Sequence, residues 1–113
     1  MKISKELIKG STSLLVMSVL KEKDLYGYKI IKELELESEN VFELKEGTLY
    51  PILHALEKEN YLESYWDESD GRKRKYYHIT KKGLKALKEK QEEWKVFSVS
   101  VNKVLGFAGN PVV

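Results

Sequence analysis

Residues 46 to 80, EGTLYPILHALEKENYLESYWDESDGRKRKYYHIT, run an amphipathic helix directly into a two-stranded hairpin, and this pairing restricts the chain more than any other part of it. Leu49, Ile52, Leu53 and Leu56 recur at i, i+3, i+4 and i+7, which lines apolar groups along one helical face. Thr48, Tyr50, His54 and Lys58 take the opposite side. Pro51 is compatible with a helix that starts at Gly47 or Thr48, since N–H groups of a first turn have no intrahelical partner to lose. Tyr61 to Trp66 and Arg74 to Ile79 are aromatic and β-branched and alternate in polarity, as half-buried strands do. The pattern turns Leu62, Tyr77 and Ile79 to a core and Glu63, Lys75 and His78 to water. Asp70-Gly71 supplies the turn, because glycine accepts positive φ without a steric penalty. Arg72, Lys73, Arg74 and Lys75 follow it without a break.

The remaining segments read as support for that unit. Lys5 to Leu20 is expected to form a first helix, apolar almost all round in its second half and so buried on more than one side. Leu25 to Leu36 is a second helix, with Gly27 allowing close approach at its entrance; Tyr28 is assigned to the core, and Tyr26 either to the core or to a phosphate. Glu37 to Lys45 connects it onward, and Val41, Phe42 and Leu44 form a candidate short strand beside the hairpin. Thr80 is a good N-cap for a last helix. There Leu84, Leu87, Gln91, Trp94, Ser98, Val101 and Leu105 alternate three and four apart, the seam of a coiled coil, widened by Phe97 and Val104. One small chain has nothing large enough to cover that seam, so a second copy is the economical partner, with Leu15 of the first helix helping to seal the dimer. The fold class is therefore mainly α with a small β-hairpin: a winged helix-turn-helix over residues 1–80, a C-terminal dimerisation helix over 81–106, and a fraying tail over 107–113.

Composition narrows function by what it withholds. Cysteine is absent, and His54 and His78, the two histidines, stand in no metal-ligand spacing, so neither a metal nor a cofactor is expected. No glycine-rich phosphate loop or nucleophile elbow is present, and no catalytic residue is assigned. The apolar run Leu14 to Leu20 is too short to span a bilayer, and a cytoplasmic location is expected. A net charge of +2 hides a strong asymmetry. Residues 72–90 hold nine Lys or Arg against one acid, whereas residues 33–46 hold six Glu against one Lys. Local patches set phosphate affinity, so the basic end is expected to face double-stranded DNA. The helix at 48–58 would enter the major groove with Thr48, Tyr50, Pro51, His54 and Lys58, while Arg72, Lys73, Arg74 and Lys75 hold flanking phosphates and Lys5 and Tyr26 complete the contact set. The rival reading is a winged-helix module that docks another protein, its basic tip serving only solubility. A small hydrolase is a poorer fit still.

Leu25-Tyr26-Gly27-Tyr28, Glu46 to Pro51, Leu56-Glu57-Lys58-Glu59, Gly71 to Tyr77 and Thr80-Lys81-Lys82-Gly83 resemble, in order, the PadR family of transcriptional regulators. The match covers about residues 5 to 95, and the short tail resembles the branch with a single C-terminal helix, including its multidrug-responsive members. The resemblance implies a homodimeric repressor, and dimer symmetry would then demand a palindromic operator with half-sites about 34–36 Å apart. It also implies that Trp94, with Phe97, Gln91 and Ser98 around it, stacks a small planar aromatic effector at the dimer interface. Simple packing across the seam accounts for Trp94 as well, because so large a side chain dominates any interface it joins. Glu6, Asp67 and Glu92 are alternative acidic partners for a cationic effector.

Overall fold

The core of the computed structural model lies where four helices meet the inner face of a three-stranded antiparallel sheet; residues 3–107 are described. The elements follow as α1 (Lys5–Lys9), α2 (Thr12–Leu20), β1 (Leu25–Tyr26), α3 (Gly27–Glu37), α4 (Glu46–Lys58), β2 (Leu62–Asp67), β3 (Arg74–Ile79) and α5 (Lys81–Leu105). Val16, Met17 and Leu20 of α2, Ile30 and Leu34 of α3, and Leu49, Leu53 and Leu56 of α4 are buried against Leu62, Tyr77 and Ile79 of the sheet. The helical and strand periodicities of the sequence thus meet on one apolar interior.

Several boundaries differ from expectation. The first helix is two: Gly10 interrupts it, and the hydroxyls of Ser11 and Thr12 donate to the Ile8 carbonyl at 3.1 and 2.8 Å. Side-chain hydroxyls that bind the preceding carbonyls compete with the helical ladder. The extra strand is Leu25–Tyr26, which pairs with Tyr77 and Tyr76 along the free edge of β3, and not Val41–Leu44. Glu39 and Asn40 turn the chain after α3 with φ of 53° and 69°, and the Phe42 N–H donates to Ser38 Oγ at 2.9 Å, so it is not free to join a sheet. The long helix α4 begins at Glu46, which places Pro51 past the first turn. Its missing N–H leaves the Gly47 carbonyl without an intrahelical donor, and this end of α4 is exposed, where water can satisfy it.

Entry into α5 is tightly built. Thr80 Oγ1 accepts from the Gly83 N–H at 3.0 Å and donates to the Asn60 carbonyl at 2.7 Å, so one hydroxyl caps the helix and ties it to the start of the hairpin. A Cβ on Gly83 would stand 2.7 Å from Ile79 Cγ1 and 3.0 Å from the Tyr61 carbonyl carbon, closer than atoms pack. Ala86 and Leu87 follow into the core. Leu87, expected at the dimer seam, is 1% exposed and buried within its own chain. From Trp94 onward the apolar residues of α5 stand largely exposed, up to Gly106, whose left-handed conformation closes the helix with N–H contacts to Asn102 and Lys103. The fraying expected over 107–113 falls, beyond Phe107, outside the described residues.

Gly83→Ala should lower stability to urea by about 1–3 kcal/mol, since the methyl meets backbone that cannot yield. Gly47→Ala, with open space where its Cβ would lie, should instead be neutral or stabilise by up to about 1 kcal/mol.

Candidate nucleic-acid interface

Helix α4 turns one face inward and leaves Thr48, Pro51, His54 and Lys58 exposed on the other, at the spacing of a single helical stripe. Tyr50 departs from that stripe. Its ring lies across Gly27, with Cζ 3.0 Å from the place a Gly27 Cβ would take, which explains why α3 enters the fold with a glycine. Glu57 turns toward β2, where its Oε2 accepts from Ser64 Oγ at 2.8 Å and links the helix to the wing. Lys5 is exposed on α1, whose neighbours Leu7 and Ile8 line a separate recess.

The wing is shaped by its register. Leu62, Ser64 and Trp66 face Ile79, Tyr77 and Lys75 across the strands, and the intervening Glu63, Tyr65 and Asp67 face His78, Tyr76 and Arg74. Six residues, 68–73, make the tip. Gly71, at φ 88°, donates its N–H to the Glu68 carbonyl at 2.9 Å, and Asp67 and Asp70 accept from the Ser69 and Arg72 N–H groups at 2.8 and 3.2 Å. Aspartates that bind backbone two residues onward form this kind of turn readily.

Alternation divides the four wing cations. Arg74 is ion-paired with Asp70, and its guanidinium lies 4.5 Å from the centroid of the Tyr26 ring. It is a structural group here, not a free phosphate ligand as its place in the basic run suggests. Tyr26, expected to choose between core and phosphate, is half-buried in an aromatic row: edge-on to Tyr76 at 5.4 Å, with Tyr76 stacked on Tyr65 at 5.7 Å. Lys75, expected to face water with His78, instead shares the face of Tyr77 and Ile79, half-buried and 5.8 Å from the Tyr77 ring, as strict alternation requires. Arg72 and Lys73 remain exposed, with Lys73 Nζ over the Trp66 ring at 5.3 Å. Tyr28, expected in the core, is 53% exposed beneath Lys32 Nζ.

One cluster was not visible in sequence. Asp24 Oδ2 accepts from the Tyr65 hydroxyl at 2.6 Å, and its Oδ1 accepts from His78 Nδ1 at 2.8 Å. Asp24 sits in the charged run Lys21 to Asp24, which reads as solvated loop; only the folding of β1 onto β3 brings it over the hairpin. Desolvation pushes the Asp24 carboxyl up, but the Tyr65 and His78 hydrogen bonds and the His78 charge outweigh it, and its pKa lies below the ordinary value. The same hydrogen bond, with desolvation and nearby charges, pushes the Tyr65 hydroxyl up to about 12. Burial does the same for Tyr77, also to about 12.

A second feature is an open apolar recess of about 780 Å³ among α1, α2, the 38–45 turn and α5. Leu15, Phe42, Gln91, Glu92 and Trp94 are among its lining residues. Trp94 is 47% exposed, and its ring tilts against Phe97 at 5.7 Å. Phe97 and Ser98 lie farther along α5, outside the recess lining. Leu84, Val101 and Leu105 are each exposed or half-buried on α5. Among the described residues no helix is long and apolar enough to cross a membrane, and no group of His, Asp or Glu is placed to hold a metal.

Comparison with known proteins gives a consistent result. Residues 16–89 match the model of the Transcriptional regulator PadR-like family. A transcriptional regulator of Mycobacterium tuberculosis is 32% identical over 85 residues, covering 75% of this chain and 77% of that protein. The solved structure of a transcriptional regulator from Clostridium thermocellum superposes with a TM-score of 0.83 at 37% identity, over 95% of this chain and 99% of that one. A PadR family transcriptional regulator from Eggerthella lenta gives 0.79 at 36% identity, over 90% and 88%.

The shifted groups set opposite pH dependences. The stability contributed by Tyr65 and Tyr77 should be complete below the ordinary tyrosine value of 10.0 and fade as pH rises through about 12. That of Asp24 should be complete above the ordinary carboxylate value and fade as pH falls through its depressed pKa. Melting temperature followed against pH should show both limbs, and Tyr65→Phe should blunt each of them.

Proposed function

The chain belongs to the PadR-like family of transcriptional regulators, and on that footing we propose that it is a homodimeric, cytoplasmic repressor that binds a palindromic operator through α4 and the wing. The observation that carries this reading is the exposed stripe of α4, Thr48, Pro51, His54 and Lys58, held beside a cationic hairpin by the Glu57–Ser64 hydrogen bond. A major groove admits one α-helix, and neighbouring phosphates are the natural ligands of the Arg72 and Lys73 side chains. Dimerisation is supported by α5. Its outer half carries Trp94, Phe97, Val104 and Leu105 in water in a single copy, a stripe whose burial between two copies is strongly favoured.

The recess beside Trp94 favours an effector as the release signal. Gln91, Glu92 and Trp94 offer a hydrogen-bonding amide, a negative charge and a flat aromatic face in one concavity. A small planar cation satisfies all three, and its place beside the dimer stripe lets it act on the spacing of the two wings. Of the acidic partners considered for such a ligand, Glu92 lies in the recess, whereas Asp67 is engaged by the wing turn.

Selection of duplexes from a random pool should return a two-fold symmetric site. Failure of the purified chain to shift duplex DNA at low salt would leave the protein-docking module instead. Arg72→Ala and Lys73→Ala should each reduce the slope of log affinity against log salt by about 0.9, the release of one counterion, while Arg74→Ala should change it little. Leu105→Glu, at a position exposed in the single copy, should convert a dimer to a folded monomer in sedimentation equilibrium.

A further inference from the structure

Trp66 is the one large side chain of the wing that the fold leaves without an internal role. It shares a strand face with Leu62 and Ser64, and Ser64 is bonded to α4, so this face of the hairpin looks toward the helix. Trp66, two residues beyond Ser64 on that face, is nevertheless 61% exposed. Among the described residues its Nε1–H has no hydrogen-bond acceptor, and no other aromatic ring stacks on it. Tyr65, its exposed neighbour, differs: its ring stacks on Tyr76 and its hydroxyl is held by Asp24. What Trp66 does have is cations. Lys73 Nζ stands 5.3 Å from its ring centroid, and Lys75 is its cross-strand partner. Arg74, by contrast, is turned to the opposite face and neutralised by Asp70.

We propose that Trp66 is the wing's apolar contact to duplex DNA, its ring packing on the deoxyribose of the backbone next to the groove that α4 enters, with Lys73 and Lys75 meeting the phosphates on either side. The proposal rests on the DNA-binding reading above. A flat apolar surface bordered by two ammonium groups matches the repeat of a nucleic-acid strand, in which apolar sugars alternate with phosphates. The wing therefore has two sides of different purpose. The Asp24, Tyr65, Tyr76, Tyr26, Arg74 side stiffens the ribbon, and the Trp66, Lys73, Lys75 side meets the ligand. The contact adds affinity that does not depend on salt, because burying the indole releases no counterions.

The test uses the full chain and a mixed-sequence duplex at low salt. With Trp94→Phe, Trp66 is the sole tryptophan of the two in the chain. Its emission should shift to the blue and lose accessibility to acrylamide as duplex is added. The emission difference between the parent and Trp66→Phe gives the same readout with Trp94 in place. Trp66→Ala should bind roughly tenfold more weakly, the loss expected for uncovering part of a large apolar side chain, with an unchanged salt slope and an unchanged melting temperature; Lys73→Ala should flatten the slope. Duplex binding with constant Trp66 emission and full affinity in Trp66→Ala would overturn the proposal and leave the DNA-binding reading standing. No duplex binding by the parent at any salt would overturn both.

Discussion

The contact of Thr80 and Gly83 with the backbone at Asn60 and Tyr61 governs how the rest of the molecule can work. A hydroxyl that caps α5 also binds the carbonyl that ends the turn after α4, and a glycine lets the helix lie directly on the next carbonyl. Helix α4, the hairpin and the last helix are thereby locked at one junction. Ala86 and Leu87 extend it into the core, so the first turns of α5 belong energetically to the winged domain and only the outer half stands clear of it. The placement of α5 is thus coupled directly to α4 and the wing through a stiff joint rather than a linker.

The hairpin shows how a very small sheet gains rigidity. Two long strands alone are marginal in water. Here a two-residue third strand completes the sheet and delivers Tyr26 to one face and Leu25 to the other. On the outer face Tyr26, Tyr76 and Tyr65 form a continuous row, closed at one end by Arg74 and at the other by Asp24 and His78. Cross-strand aromatic pairs each contribute about 0.2–1 kcal/mol, and their registry limits how far the ribbon can slide or fray. The cost is that one of the four wing cations is committed internally, which leaves a smaller and more directional basic surface than the sequence advertises.

Features that repeat with a local period were legible without coordinates. The apolar stripe of α4, the alternation of β2 and β3, the Asp70-Gly71 turn and the Thr80 cap depend on neighbours within a few residues. Strand β1 was not legible, because two residues carry no period and only the vacant edge of β3 makes them a strand. The separation of Arg74 from Lys73 and Lys75 was present in the sequence as strict alternation, yet adjacency in the basic run concealed it. Leu87 was misplaced for a different reason. A heptad pattern says which side of a helix is apolar, not whether the same chain or another covers it.

The amino-acid sequence by itself determined the kind of elements present, their order and their apolar faces, since these follow from backbone preferences and side-chain spacing along the chain. The tertiary structure alone decided which groups remain available. It withdrew Arg74, Leu87 and part of Tyr50 from the surface, assembled Asp24 with Tyr65 and His78 across 54 residues of chain, and left Trp66 in the open. Exposure and partnership are properties of distance in space, and linear spacing encodes them only where the chain's own geometry carries residues past one another.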